Sequence, residues 1–436
     1  MDQVAKSAIE TVHLPERSPA VDPSNIGIGA AVTANSNSFW SSFLMTVAMS
    51  SIAIGIIWDI SWHETVGRDT FWTPAHMAIY LGGVLGGCVG GWLAIKHTFL
   101  AGPAERGASV SVFGARAPLG GWVAIWGALA MVTSAPFDDW WHNAYGLDVR
   151  IVSPPHVVLG LGMFAISAGA LLLVLSRQNR LQDLSSTKGS GMFIFAGGVF
   201  VLMGSVFLLE YIFPNMQHAA LFYKVCALMY PARLVALSCS GRISWPATRV
   251  AAVYMTFLCV MDWILTAFRA HPKLAPIFNP VTHMVALPFP LLLIFPALAI
   301  DWILRRAGES YTSMSANGRG VAHDLPHSAG MRGWFRRIAL SILLGVVFYA
   351  VLIAVQWFFS KFMLSTYARN GFFMGDRVFG YNFRRGDWQF QFWHGDPKSG
   401  NYDPITISAI VITLVFAIAS SWVGLFFGNW MRRVRR

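Results

Sequence analysis

The sequence predicts an all-α, polytopic membrane bundle of about ten helices, and three observations predict it. Hydrophobic residues fill 55% of the 436 positions and charged residues only 12%, where soluble domains carry roughly a quarter; mean hydropathy is +0.52. Several charge-poor runs reach roughly twenty residues, the length that crosses about 30 Å of hydrocarbon as a helix. These runs do not alternate apolar and polar residues as the strands of a membrane barrel would.

Residues 1–38 are polar and contain Pro, Ser and Asn. They read as a mostly disordered cytoplasmic leader, because the first apolar run begins near Phe39, too late and too long for a cleaved signal. Apolar runs then fall near 39–58, 76–98, 119–137, 156–176, 190–213, 218–240, 246–268, 281–304, 336–360 and 405–430. The sixth is interrupted by Lys224, Pro231 and Arg233 and could divide into two shorter or re-entrant pieces. Between the last two runs, residues 361–404 form a long loop rich in aromatics and glycine, a length that suits a functional or capping segment. Hydrophobicity is otherwise even, so residues 39–436 read as one membrane domain: a duplicated region at 39–176, then the further spans of 177–436.

A net charge of +11 would suit nucleic acid in a soluble protein, but here the basic residues sort by membrane side. Alternate loops hold Lys96, Arg106 and Arg116, then Arg177, Arg180 and Lys188, then Arg242 and Arg249, then Arg305, Arg306, Arg319, Arg332, Arg336 and Arg337, with Arg432, Arg433, Arg435 and Arg436 at the end. The positive-inside rule makes these loops and both termini cytoplasmic, and no nucleic-acid partner is expected. Cys88, Cys226, Cys239 and Cys259 lie scattered in apolar stretches without CxxC spacing, which excludes a disulfide framework and a thiolate metal site.

The chemistry sits in an internal repeat. Asp59-Ile-Ser-Trp-His63 with Gly67, Asp69, Thr73-Pro74 and His76 returns as Asp138-Asp-Trp-Trp-His142 with Gly146, Asp148, Ser153-Pro154 and His156. Each copy closes one span and opens the next at the non-cytoplasmic side, so the two form equivalent helical hairpins. Asp and His four residues apart share a helix face, about 6 Å apart along the axis. The hydroxyl-Pro pair reads as a capped helix start that puts His76 and His156 on the opening turn. Each hairpin thereby offers two imidazoles and one carboxylate, a ligand set suited to copper, zinc or iron(II). Asp59, His63 and His76 would bind one ion and Asp138, His142 and His156 the other, while Asp69, Asp148, Glu64 and Asp139 are candidates for supporting the ligands or relaying protons.

Ionisable groups at membrane depth call for partners or function. His63, His76, His142, His156, His218, His271, His283 and His394 all fall on the expected outer side. Glu210, His218, Asp262 and His283 lie at outer helix ends and read either as a third site or as structural groups.

At the repeat the sequence resembles the C subunit of the copper membrane monooxygenases, the particulate methane and ammonia monooxygenase family. Asp59, Ser61, Trp62, His63, Arg68, Asp69, Thr70, Thr73, Pro74 and His76 reproduce the spacing of one of its copper motifs. His142, Pro154 and His156 fit the neighbouring motif, with Asp138 where the family has Asn. The resemblance covers residues 40–176 and stops there. It implies a copper-dependent oxygenase, or a subunit of one, that hydroxylates a small apolar substrate with O2, in a bacterial inner or intracytoplasmic membrane with its sites toward the periplasm, alone, as a homo-oligomer or with companion subunits. The rival expectation is a non-catalytic membrane protein that binds or transports copper or zinc. Against transport, the inner halves of the first four spans carry almost no polar groups.

Overall fold

The computed structural model describes residues 23–67, 69–146, 153–180, 187–271, 273, 281–309, 331–374 and 402–436. Nine helices among them are long and apolar enough to cross a membrane, so the chain is an all-α polytopic membrane bundle. The described residues from 41 to 436 form one compact unit. The helices are α1 (Pro23–Thr65), α2 (Pro74–Ile95), the short α3 (Pro103–Gly107), α4 (Leu119–Tyr145), α5 (Pro154–Arg180), α6 (Thr187–Val206), α7 (Ala220–Ser240), α8 (Pro246–Ala267), α9 (Ile294–Arg306), α10 (Met331–Met363) and α11 (Ile407–Met431). A two-stranded antiparallel ribbon, β1 (Val110–Val112) and β2 (Ala115–Ala117), lies in the loop between α3 and α4.

Residues 1–22 of the expected leader lie outside the described residues. Residues 23–38 are helical and continue into the first span. Pro23 suits a first helical position, and no later proline interrupts the run.

Glycines set the closeness of the helix pairs, as small residues do where lipid gives no hydrophobic drive to association. A Cβ on Gly162 would lie 2.7 Å from the Gly127 carbonyl oxygen, and one on Gly127 would lie 2.8 Å from that of Gly162. The α4 and α5 backbones therefore touch. In the first hairpin Gly82 of α2 meets the Ala48 carbonyl of α1 in the same way. On α11, Ser420, Gly424 and Gly428 line one face every fourth residue, and the two glycines rest on Ala232, Val235, Ala236 and Cys239 of α7.

The sixth run is one unbroken helix despite Pro231. The Ser420 hydroxyl of α11 enters its ladder, donating to the Leu228 carbonyl at 2.8 Å and accepting from the Ala232 amide at 2.9 Å. An inserted side chain of this kind lets a Pro-containing helix keep its backbone groups satisfied.

The eighth run departs from expectation in the opposite sense. Only its second half is helical, α9, and residues 284–292 are irregular, neither helix nor strand, and mostly buried. Pro288 and Pro290 remove amide donors and deny this stretch a helix. Side chains meet four of its amides, Val285 by Thr65 Oγ1 at 2.8 Å, Leu287 by Asp262 Oδ1 at 3.0 Å, Leu291 by the Tyr254 hydroxyl at 3.2 Å and Leu292 by Gln356 Oε1 at 3.0 Å, and the Met284 amide donates to the Phe268 carbonyl. Irregular backbone survives at membrane depth only when enclosed by protein in this way.

Two faces of the bundle differ in chemistry. At one, the Asn179 side chain donates to the Met431 and Val434 carbonyls, Arg432 donates to the Cys239 carbonyl, and Glu309 pairs with Arg336 at 3.3 Å and Arg432 at 3.8 Å. Here Asp301 of α9, fully buried, accepts from the Ser238 and Thr248 hydroxyls and the Ala247 and Thr248 amides. It caps α8 from another helix, directly after Trp245 in the left-handed region at φ 55°. The opposite face carries the two repeats.

Candidate metal centre

Both copies of the repeat bring their acid and histidines together. In the first, His76 Nε2 lies 3.1 Å from Asp59 Oδ1 and His63 Nε2 lies 3.8 Å from Asp59 Oδ2. In the second, His142 Nε2 lies 3.4 Å from Asp138 Oδ2 and His156 Nε2 lies 3.6 Å from Asp138 Oδ1. One carboxylate thus faces two imidazoles across a hairpin, twice.

Local sequence explains the placement. Asp59 and His63 share a face of α1 with i,i+4 spacing, as do Asp138 and His142 on α4. Four residues after each histidine a glycine turns the chain, Gly67 at φ 97° and Gly146 at φ 85°, a region where a side chain is strained. Pro74 and Pro154 then open α2 and α5. The two hydroxyls differ in use. Ser153 Oγ accepts from the His156 amide at 3.4 Å, as a cap does, whereas Thr73 Oγ1 accepts from the Thr70 amide at 2.8 Å and braces the preceding loop.

That loop carries Asp69 into the first cluster. Asp69 Oδ2 lies 2.8 Å from His76 Nε2 and 3.4 Å from His63 Nε2, so it contacts both imidazoles directly, alongside Asp59. Burial alone pushes its carboxyl up, but hydrogen bonds from His63 and His76, with their charge, outweigh that and hold it well below the usual carboxylate range. Asp59, His63 and Asp69 each offer a ligand atom within 4.8 Å of the others, the one such group of three among the described residues. The repeat held a signal for this, since Asp69 recurs as Asp148, which lies outside the described residues together with Arg68 and His394.

The donor set and spacing fit a small transition-metal ion. Ligands about 2.0–2.1 Å from a tetrahedral ion stand roughly 3.3 Å from one another, close to the 3.1–3.8 Å separations between Asp59 and its two histidines, and among the described residues the trio whose ligand atoms all lie mutually close is Asp59, His63 and Asp69. Asp59 Oδ1 and Asp138 Oδ1 are buried and make no aligned hydrogen bond, and His76 Nδ1 and His156 Nδ1 share that state. The same atoms are left in both copies, so the geometry, like the sequence, is duplicated.

Other candidate residues go elsewhere. Glu64 is exposed at the end of α1. Asp139 accepts from Asn143 Nδ2 at 3.3 Å, on the helix surface. Of the third candidate site, His218, Asp262 and His283 form no group of three metal donors among the described residues. His218 is buried against the Trp357 ring and Ser360 Oγ, Asp262 serves the Leu287 amide, and His283 Nδ1 lies 2.9 Å from Thr282 Oγ1. Burial lowers the pKa of His218 to about 4. The Glu210 side chain is outside the described residues.

Sequence reasoning missed what fixes α1 behind the cluster. Ser61 and Thr65, on the face opposite Asp59 and His63, clamp Val285: Ser61 Oγ donates to its carbonyl at 2.6 Å and Thr65 Oγ1 accepts from its amide. Protein-family models, curated proteins and solved structures give no match to the chain.

Proposed function

We propose that the chain is a copper-dependent membrane monooxygenase, or a subunit of one, that oxidises a small apolar substrate with O2. The observation that carries this reading is the duplicated convergence of one carboxylate and two imidazoles at one end of a lipid-embedded bundle. Asp59, His63 and His76, with Asp69, would hold one copper ion, and Asp138, His142 and His156 a second. Bound copper would supply one-electron redox chemistry and Lewis acidity toward O2. The chain's residues would fix the ligands and admit substrate. Asp69, ionised against both imidazoles, would add a second negative charge that favours a bound cation. Phe71, Trp72 and Trp140 expose large apolar rings beside the clusters, a surface across which an apolar molecule passes from bilayer to site. Hydroxylation also consumes two electrons and two protons from a donor outside the chain, which companion subunits would deliver.

By the positive-inside rule the Arg-rich face is cytoplasmic, and the clusters then face the periplasm of a bacterial inner membrane. The second reading, a membrane protein that binds or transports copper or zinc, draws on the non-helical eighth run beside α1, since broken spans mark transport sites in membrane carriers. The oxygenase reading is preferred because the inner halves of the first four spans carry almost no polar groups along which an ion could cross.

The test is metal content and EPR of the detergent-purified protein, before and after reduction and return to air. A type-2 copper(II) signal with nitrogen hyperfine structure that disappears and returns supports the oxygenase and selects small hydrocarbons and ammonia as first substrates. Zinc alone, or no bound metal, overturns the copper assignment.

A further inference from the structure

A second feature lies at the opposite, basic face and is independent of the metal clusters. An apolar groove of about 510 Å³ runs between α9 and α10, lined by Phe295, Leu298 and Trp302 of α9, Leu343 and Val347 of α10, and Trp245 before α8. Phe295, Leu298 and Trp302 recur at helical spacing and are each about half exposed, so α9 turns a continuous apolar stripe outward. In a soluble protein such a stripe would need a protein partner. In a membrane bundle it faces acyl chains.

The end of the groove is charged in a particular way. The Arg305 guanidinium lies 4.6 Å from the Trp245 ring centre, and that of Arg306 lies 5.1 Å from the Trp302 ring centre. Both indoles line the groove, so stacking fixes two cations at its mouth. Among the described residues neither arginine enters an ion pair, while their neighbour Glu309 is committed to Arg336 and Arg432. A stacked guanidinium keeps its N–H edge available, and that edge matches a phosphate. The apolar groove between α10 and α11, lined by Ile338, Val415 and Trp422, has no arginine of the described residues stacked on its lining.

We propose that the groove between α9 and α10 seats an acyl chain of an anionic phospholipid whose phosphate is held by Arg305 and Arg306. The basic ends of membrane helices attract anionic headgroups, and this groove adds a place for the tail directly below the charge. A bound lipid would also brace α9, the half-helix that carries the Asp301 cap.

The experiment is native mass spectrometry of the full-length protein in detergent with equal concentrations of dioleoyl phosphatidylglycerol or dioleoyl phosphatidylcholine. Two arginine contacts predict about tenfold or greater preference for the anionic lipid. R305A/R306A should bring phosphatidylglycerol retention down to the phosphatidylcholine level, and Leu343→Trp, which fills the groove, should reduce retention of both. R305Q/R306Q is read in the same way if the alanine pair fails to fold. Equal retention of the two lipids by the native protein overturns the proposal, as does native-level phosphatidylglycerol retention in the arginine variants. A groove occupied by a second copy, seen as a dimer that Leu343→Trp abolishes while lipid retention is unchanged, also overturns it.

Discussion

Asp69 Oδ2 and His76 Nε2 meet at 2.8 Å, the shortest acid-to-histidine contact among the described residues. A carboxylate from the loop therefore completes a cluster whose other members come from two helices. If Asp69 supports the metal, Asp69→Asn, which keeps the shape and removes the charge, weakens copper binding at the first cluster by about 10- to 100-fold, the usual cost of losing a carboxylate partner. Competition with a copper chelator measures this, and the second cluster serves as the internal reference. Unchanged affinity would remove Asp69 from the site.

The two clusters are built on separate hairpins, so their losses should be independent. His63→Ala and His142→Ala are each expected to remove about one metal equivalent without preventing membrane insertion, and the double variant about two. Elemental analysis of the purified proteins counts the ions. Full metal in either single variant would contradict the ligand assignment.

Asp262 separates a structural group from a third metal site. Its carboxylate serves the Leu287 amide in the irregular stretch. Removing it in Asp262→Ala should cost about 1–3 kcal/mol by leaving that buried amide unmet, whereas Asp262→Asn keeps an acceptor and most of the stability. Thermal unfolding in detergent reads both, and metal content should stay constant throughout.

Gly162 and Gly127 hold α4 against α5, and that crossing sets where Asp138 meets His156. Gly162→Val puts side-chain atoms where the Gly127 carbonyl stands, and overpacking of this sort costs about 1–3 kcal/mol. Copper at the second cluster should weaken while the first cluster keeps its ion. Loss at both would indicate collapse of the whole bundle instead.

His218 predicts a pH dependence. It stays neutral in the folded chain down to about pH 4, while an unfolded histidine takes up a proton near its ordinary value of about 6.5. Between these values the unfolded state binds more protons, so stability is full above about pH 6.5 and falls as pH drops toward 4. The loss attributable to this residue is at most about 3 kcal/mol. His218→Gln, which cannot charge, should flatten that acid limb of the unfolding temperature, and an unchanged slope would assign it to other groups.

Sequence by itself determined the solvent, the helices and the ligand face. Charge-poor runs of spanning length leave helices as the way to satisfy backbone groups in hydrocarbon, and the i,i+4 spacing of Asp59 with His63 and of Asp138 with His142 fixes each pair on one helix face whatever surrounds it. Gly67, Gly146, Pro74 and Pro154 mark the turns because those residue types answer to local backbone geometry. What only the tertiary structure decided depends on partners far along the chain. The Pro231 helix stays whole because the Ser420 hydroxyl of α11 enters it. The eighth run, equally hydrophobic, is irregular in its first half because Thr65, Asp262, Tyr254 and Gln356 are there to take four of its amides. Pro288 and Pro290 were the visible signal, but hydropathy does not distinguish a helix from a buried irregular segment. Asp69 reaches His63 and His76 because the loop folds back over the hairpin, whereas His218, Asp262 and His283 scatter because each finds a nearer partner. Local spacing survives any fold, whereas convergence across elements is set by which helices pack together.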